Sequence, residues 1–469
     1  MGKYSRLGKN TVLVFMGNAG AKLVGLIMLP FYTRWLSVEG YGLTDILSVY
    51  VTLLVCIVSC SIGESLFIFP KGADDKQKKE YFSTGIIFLT CMLIITAFVF
   101  GLLYYVGIIN SISNSFFDNI WFIYGMIVCM LSQQTIQQFT RSLDKMVVYS
   151  ITGIVITVCT ALYAFIFIPR YGVLGYVTSL NLAYLSGALY SFIASGAYKY
   201  FQISTFSSDK CREMLKYSIP LVPNGVMWWL VGALNRPIME ANVGLEGIGL
   251  FAVANKFPGI LTMIFGVFAT SWQISILEEY GKDGFEVFYN RVFRFVICFL
   301  FILFFVLTMG SELLVRLFTT EEYFVSWKYI PVLTLGAVLS SISGMGGTVY
   351  AAVKKSKYFF YSSVWGALVA AFTNIILIPV TGILGATLSV VLSFMAMAVS
   401  RILYAWKYVK VDSLGKYIVM IVFSFISIAS VFLLGKASFY MVNILLLLMI
   451  IVLNYDLKKE ICKLKTFKR

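Results

Sequence analysis

The sequence contains the same long apolar unit twice, in the same orientation. Residues 23–43 (LVGLIMLPFYTRWLSVEGYGL) align with residues 230–250 (LVGALNRPIMEANVGLEGIGL), and eight of the 21 positions are identical. Residues 168–180 (IPRYGVLGYVTSL) align with residues 378–390 (IPVTGILGATLSV), and six of 13 positions are identical. The offsets of 207 and 210 residues indicate one ancestral unit of about 205 residues. Parallel duplication of a membrane unit builds two lobes around a central site in many transporters.

The composition predicts that most of the chain lies in a lipid bilayer. Hydrophobic residues make up 59% of the sequence and charged residues 13%, whereas soluble domains carry about 25% charge. We interpret the eight cysteines as small hydrophobic residues rather than as a disulfide framework. The chain has no histidine, which excludes histidine metal ligands, general bases and proton relays. We expect no cofactor.

Apolar segments recur along the chain and predict about fourteen transmembrane helices, each of about 20 residues. The predicted fold is all-α and polytopic, and the first span covers residues 10–34. The predicted domains are an N-terminal six-helix lobe (1–205), a C-terminal six-helix lobe (206–410), two additional helices (411–456) and a basic cytoplasmic tail (457–469).

Lysine and arginine predict the orientation of the chain. With the N-terminus in the cytoplasm, inner segments hold 29 of these residues and outer segments hold six. This bias predicts that both termini are cytoplasmic. It also accounts for the net charge of +15 without nucleic-acid binding, because inner basic segments attract anionic lipids.

Two lysines lie near the middle of predicted spans, where an ammonium group is costly unless it faces water, a partner or a ligand. Lys22 lies in the first span and Lys256 in the eighth, one in each predicted lobe. Asp45 and Glu64, both on the second span, are the only clearly intramembrane carboxylates in this prediction, and neither lies at the depth of the lysines. The pattern favours an anion-binding role for the lysines, and a structural ion pair or carbonyl contact is the alternative.

Other polar residues in the spans favour a water-filled cavity. The fourth span carries four glutamines within residues 133–138, and the seventh carries polar residues at helical spacing. Packing between helices through amide hydrogen bonds is the alternative interpretation. We interpret Arg34 and Arg236, at outer helix ends, as reaching toward lipid headgroups. The candidate substrate-binding residues are Asn18, Lys22, Arg141, Asn224, Trp228, Asn235 and Lys256.

Three motifs carry a family resemblance that covers most of residues 1–456. They are the segment from Arg34 to Gly42, the segment from Gly244 to Lys256, and the Ile-Pro-x-x-Gly-x-x-Gly turn, which occurs twice. With them the chain resembles the polysaccharide-flippase branch of the multidrug/oligosaccharidyl-lipid/polysaccharide exporter superfamily. The resemblance implies two six-helix lobes plus two helices, and transport of undecaprenyl-pyrophosphate-linked oligosaccharide across a bacterial inner membrane.

The resemblance also implies a role for the lysines. Relatives that flip the lipid-linked peptidoglycan precursor hold its pyrophosphate with cations on spans one, two and eight. Lys22 and Lys256 fit spans one and eight, but span two offers only Asp45 and Glu64. This difference favours an oligosaccharide flippase over a peptidoglycan-precursor flippase.

Other functions remain as alternatives. A cation-coupled multidrug exporter would favour an acidic midplane, and a membrane sugar polymerase would need a catalytic base and a larger loop. The sequence has no GxxxxGK[ST] loop, so ATP hydrolysis is not expected. A Na⁺ or H⁺ gradient is the alternative energy source, with Asp45 and Glu64 as candidate coupling residues. The expected partners are membrane lipids, a polysaccharide polymerase and glycosyltransferases of the same pathway, and a monomer would suffice.

Overall fold

A computed structural model describes residues 24–106, 114–353, 355 and 357–455. Within these ranges the regular secondary structure is helical and contains no strand. This is expected in a bilayer, where backbone N–H and C=O groups must be satisfied without water. The helices of the first half are α1 (Leu29–Trp35), α2 (Val38–Val58), α3 (Ile62–Ile68), α4 (Asp75–Val106), α5 (Asn114–Asp118), α6 (Ile120–Ser142), α7 (Met146–Ala194) and α8 (Ser208–Ser218).

The second half continues the helical pattern. Its helices are α9 (Val222–Ala233), α10 (Asn235–Lys256), α11 (Pro258–Glu279), α12 (Phe285–Phe318), α13 (Ile330–Ala352), α14 (Lys357–Thr381), α15 (Ile383–Ala405), α16 (Leu414–Leu433) and α17 (Lys436–Leu453). A long 3₁₀ segment, Glu321–Tyr329, connects α12 to α13.

Ten segments of the described chain are long and apolar enough to cross a membrane. The prediction of an all-α polytopic membrane protein is therefore confirmed. α7 has 49 residues, more than twice the roughly 20 needed for one crossing. Most of the first predicted span, 10–34, lies outside the described residues, so the count of fourteen spans stays a prediction.

The internal repeat of the sequence recurs in the helix bounds. α6 and α13 begin 210 residues apart, at Ile120 and Ile330, and they also end 210 residues apart, at Ser142 and Ala352. The starts of α4 and α12 are separated by the same distance along the chain. Duplicated sequence has therefore kept duplicated helix lengths over most of each copy.

The repeated Ile-Pro-x-x-Gly-x-x-Gly turn has the same backbone geometry in both copies. Gly172 bends α7 with φ 54° and ψ −125°, and Gly382 separates α14 from α15 with φ 60° and ψ −128°. Side chains other than hydrogen rarely adopt this region, so both positions favour glycine. Three residues later, a Cβ atom on Gly175 or on Gly385 would lie 2.2 Å from a carbonyl oxygen of the preceding helix.

The chain divides into two compact units, Met1–Gly249 and Leu250–Arg469, and the division falls within α10. Buried side chains of α2 and α6 form much of the core of the first unit. Those of α12 and α13 do so in the second. Large apolar side chains also point outward, as expected in lipid: Phe98 is 73% exposed and Leu433 is 79% exposed. The predicted lobe boundaries near residues 205 and 410 stay a prediction.

Within the first unit, α2 and α10 cross at two equivalent glycines. A Cβ atom on Gly42 would lie 2.0 Å from the carbonyl oxygen of Leu245, and one on Gly249 would lie 2.1 Å from that of Val38. In the aligned repeats Gly42 corresponds to Gly249 and Val38 to Leu245. The contact is therefore reciprocal, and any side chain larger than hydrogen would separate the helices.

Candidate substrate site

A strained turn separates α2 from α3. Cys60 and Ser61 have φ values of 47° and 54°, a region that costs a non-glycine residue roughly 1–2 kcal/mol. The side-chain oxygen of Ser59 accepts a hydrogen bond from the backbone N–H of Ser61, at 3.1 Å. The chain restarts at Ile62 as α3, which carries Glu64 in its first turn. Strain of this kind is found where a backbone positions functional groups.

A pocket of about 260 Å³ lies between α2, α3 and α6 in the first unit, and its lining combines apolar side chains such as Val55, Met130 and Leu131 with a polar group of residues. Gln138 Nε2 donates to Glu64 Oε1 at 3.5 Å across it, and Gln138 Oε1 is buried with no hydrogen-bond partner among the described residues. The polar lining consists of hydroxyls, amides and one carboxylate: Thr52, Ser59, Ser61, Glu64, Gln134, Thr135, Gln137 and Gln138.

The glutamines of α6 support one another along the helix. Gln133 Nε2 donates to Gln137 Oε1 at 2.7 Å, and Gln137 Nε2 donates to the carbonyl oxygen of Tyr149 on α7 at 3.2 Å. These bonds fix the α6–α7 side of the pocket. Helix packing thus accounts for Gln133, as the alternative interpretation predicted, while Gln134, Gln137 and Gln138 line the pocket.

Arg141 lies on α6 one helical turn beyond Gln138. Its guanidinium carbon lies 3.9 Å from the centre of the Phe67 ring on α3, a cation–π distance. The residue is only partly buried. The structure therefore brings together two residues predicted for function, Arg141 and Glu64, on the same pair of helices.

Asp45 and Asn235 meet around an arginine that the sequence interpretation placed incorrectly. Arg236 is 5% exposed, and its Nε lies 3.2 Å from Asp45 Oδ2. Its NH1 group donates to the carbonyl oxygen of Gly232 at 2.7 Å and to Asn235 Oδ1 at 2.8 Å. The interpretation that Arg236 reaches toward lipid headgroups was wrong, because α10 begins at Asn235 and turns this side chain toward α2. Ion coupling through Asp45 stays a prediction.

The sequence pattern does not predict that Glu240 lies within a helix. Glu240 of α10 accepts hydrogen bonds from the Tyr50 hydroxyl at 3.2 Å and from the Ser115 backbone N–H at 3.1 Å. The apolar runs on either side of this segment predict a loop between two spans instead. The repeat contained the signal that would have found it, because Pro237 aligns with Pro30, which lies at the start of α1.

The second unit contains a buried arginine that had been counted with the inner basic segments. Arg401 of α15 is 3% exposed. Its Nε donates to Ser362 Oγ on α14 at 3.0 Å, and its NH1 donates to the carbonyl oxygen of Ser343 on α13 at 3.1 Å. Arg401 thus connects three helices of this unit.

The remaining predicted site residues lie apart from the pocket lining. Asn224 and Trp228 are exposed on α9, whose neighbouring Trp229 donates its indole N–H to the carbonyl oxygen of Val49 at 3.0 Å. Lys256 is exposed at the C-terminal end of α10, in the second unit. Asn18 and Lys22 lie outside the described residues.

Carboxylate and thiol side chains do not cluster in the part of the chain that the structure describes. No group of three or more Cys, Asp or Glu residues there is placed to hold a metal ion. The expectation that the protein needs no cofactor stays a prediction.

Comparison with known proteins identifies the family. The family described as "Polysaccharide biosynthesis protein" matches residues 7–273. The chain belongs to this family. A relative from Methanocaldococcus jannaschii, an uncharacterized membrane protein, is 22% identical over 420 residues, which cover 82% of this chain and 95% of the relative.

Solved structures with the same fold are transporters. The lipid II flippase MurJ in an inward closed conformation has a TM-score of 0.65 and 16% identity, over 96% of this chain and 99% of MurJ. An inward-facing multidrug resistance transporter of the MATE family, in the MOP superfamily, has a TM-score of 0.58 and 13% identity, over 83% of this chain and 97% of that one. The family match confirms the predicted resemblance to polysaccharide-related membrane proteins, and the chain shares its polytopic fold with these two transporters.

Proposed function

We propose that the protein is a flippase for undecaprenyl-pyrophosphate-linked oligosaccharide repeat units. It moves them by alternating access from the inner to the outer leaflet of a bacterial cytoplasmic membrane, where they serve surface polysaccharide biosynthesis. Membership of the polysaccharide biosynthesis family carries this proposal. The fold shared with a protein described as a lipid II flippase supports it.

The charge pattern suits such a substrate. A pyrophosphate needs cations. Arg141 and Lys256 are solvent-accessible cations, and each lies near the C-terminal end of a helix of more than 20 residues. Lys22 joins them on the proposed first span. A saccharide needs hydrogen-bonding groups, which the amides and hydroxyls around Glu64 supply.

The energy source and the partners form part of the proposal. A Na⁺ or H⁺ gradient drives the uphill step, with Asp45 and Glu64 as the candidate coupling residues. The polymerase and the glycosyltransferases of the pathway act on either side of the transport step. Both termini face the cytoplasm, as the distribution of basic residues predicts.

Complementation tests the proposal. Lys22→Ala, Lys256→Ala and the double variant are expressed in a strain that lacks its own oligosaccharide flippase, and surface polymer is measured together with protein level in the membrane. We expect wild type to restore polymer and the double variant to lose it at normal protein level, with arginine replacements retaining it. Lys282→Ala is the matched control, because Lys282 is 59% exposed and pairs only with Glu279 on the surface.

One outcome would contradict the assigned lysines and another the assigned substrate. A normal amount of surface polymer from the double variant would show that Lys22 and Lys256 are not needed to bind the substrate. Rescue of a strain that lacks its lipid II flippase, without rescue of the oligosaccharide-flippase strain, would make the peptidoglycan precursor the substrate.

A further inference from the structure

The pocket beside Glu64 has the chemistry of a carbohydrate site. None of the residues that line it is a lysine or an arginine, and its single charge is the Glu64 carboxylate. A phosphate placed inside would be repelled by this carboxylate. An apolar molecule would leave the buried Gln138 Oε1 without a partner, which is costly. A neutral molecule with many hydroxyl groups satisfies both kinds of lining group.

The pocket size agrees with one small polar ring. Its volume of about 260 Å³ is just below the roughly 300 Å³ at which pockets for drug-sized ligands begin. It is several times the roughly 30 Å³ that one water molecule occupies in the liquid. A bare cation would leave most of this volume to solvent, and one carboxylate is a small complement of charged ligands for it.

A cation lies immediately beyond this pocket. Glu64 faces Gln138 across α3 and α6, and three residues further along the same helices Phe67 faces Arg141. A rise of about 4.5 Å along the axis, slightly less than one helical turn, separates the two pairs. The described residues provide Arg141 with no carboxylate within ion-pair distance, and stacking on Phe67 leaves the edge of its guanidinium free to donate to an anion.

We propose that this pocket binds the first sugar ring of a glycosyl pyrophosphate and that Arg141 holds the adjacent phosphate. Glu64, Gln134 and Gln138 hydrogen-bond the ring hydroxyls and so determine which sugars are accepted. The inference rests on the proposed function and assigns its saccharide end to α2, α3 and α6.

Two features hold the pocket in shape before the sugar arrives. The left-handed residues Cys60 and Ser61 set the position of Glu64, and the hydrogen bond from Gln137 to the Tyr149 carbonyl fixes α6 against α7. Groups that are held in place lose little conformational freedom on binding, which favours selectivity between sugars.

Native mass spectrometry of the purified full-length chain tests the inference. Two probes compete for the protein: undecaprenyl pyrophosphate, which has no sugar, and the polyprenyl-pyrophosphate-linked saccharides extracted from membranes of the native host. The variants are Glu64→Gln, Gln138→Leu and Arg141→Gln. Gln134→Leu is the second pocket variant if Gln138→Leu does not fold, and thermal unfolding monitors folding in each case.

Glu39→Gln is the matched control. It makes the same change of charge on α2, at an exposed position 20 residues before Ser59, and so roughly 30 Å away along the helix. We expect it to behave as wild type with both probes.

We expect wild type to prefer the saccharide-linked probe. Glu64→Gln and Gln138→Leu should each reduce this preference by about tenfold or more, because they remove hydrogen bonds to the sugar. Their binding of undecaprenyl pyrophosphate should be unchanged, because this probe has no sugar. Arg141→Gln should weaken the binding of both probes.

Two results would refute parts of the argument separately. Pocket variants that keep the wild-type preference, or a wild type without any preference, would overturn the sugar site and leave the proposed flippase function standing. A wild type that retains neither probe would overturn the proposed function, and the sugar site with it.

Discussion

The ion pair between Asp45 and Arg236 gives the sharpest test of how the first unit is held together. Asp45→Asn removes the counter-charge of an arginine that is 5% exposed. Breaking a buried pair by removing one partner costs about 3–5 kcal/mol. We expect a loss near 3 kcal/mol, the lower end, because Asp45 is 22% exposed and Arg236 keeps its bonds to Gly232 and Asn235.

The assay is the free energy of unfolding in detergent micelles titrated with a denaturing detergent. Glu39→Gln, which changes an exposed carboxylate on the same helix, should leave this free energy within about 0.5 kcal/mol of wild type. Adding Arg236→Met to Asp45→Asn should recover part of the loss, because it removes the unpaired buried charge but also the hydrogen bonds that Arg236 donates to Gly232 and Asn235. An Asp45→Asn protein as stable as wild type would refute the reasoning.

The same variants separate structural support from ion coupling. If the only role of Asp45 is to pair with Arg236, the Asp45→Asn/Arg236→Met double variant should recover transport to the extent that it recovers stability. Recovery of stability with transport still lost, in the complementation assay, would favour the predicted coupling role of Asp45.

Three further predictions concern packing and are measured as free energies of unfolding. Gly42→Ala should destabilise the protein by about 1–3 kcal/mol, because the added Cβ overlaps a carbonyl oxygen, whereas Gly101→Ala, which meets no atom within 4 Å, should be neutral or stabilising. Gly172→Ala should cost about 1–2 kcal/mol because of its positive φ. Asn443→Leu should cost about 1–3 kcal/mol, since Asn443 hydrogen-bonds Ser430 and Ser427 of the neighbouring helix, and an unchanged stability would contradict its buried role.

Most of the fold could be predicted from the sequence because its signals are local. The length of an apolar run determines whether a helix can cross a bilayer, and a repeat of 207 to 210 residues copies helix lengths from one half to the other. The break between α2 and α3 was not predicted. Cys60 and Ser61 are neither glycine nor proline, so the two left-handed residues lack the strongest local signals for a turn.

The site was harder to predict because its contacts join distant parts of the chain. The sequence identified Glu64, Arg141 and the glutamines between 133 and 138 as polar residues in apolar spans, but it could not show that Glu64 faces Gln138. Arg236 and Glu240 were misplaced for a different reason. The predicted eighth span began well after Asn235, where α10 begins, so Glu240 was assigned to a loop and Arg236 to the outer end of the seventh span, and helix boundaries are the least certain part of such predictions.

The reciprocal crossing of Gly42 and Gly249 has the form of an isologous dimer contact. In such a contact, residue i of one subunit meets residue j of the other, and j of the first meets i of the second, as Gly42, Val38 and their equivalents do here. A chain of half the length could make the same contact only with a second copy of itself. Fusion of two copies preserves the contact while allowing each half to change alone, so that one can acquire a sugar pocket the other lacks.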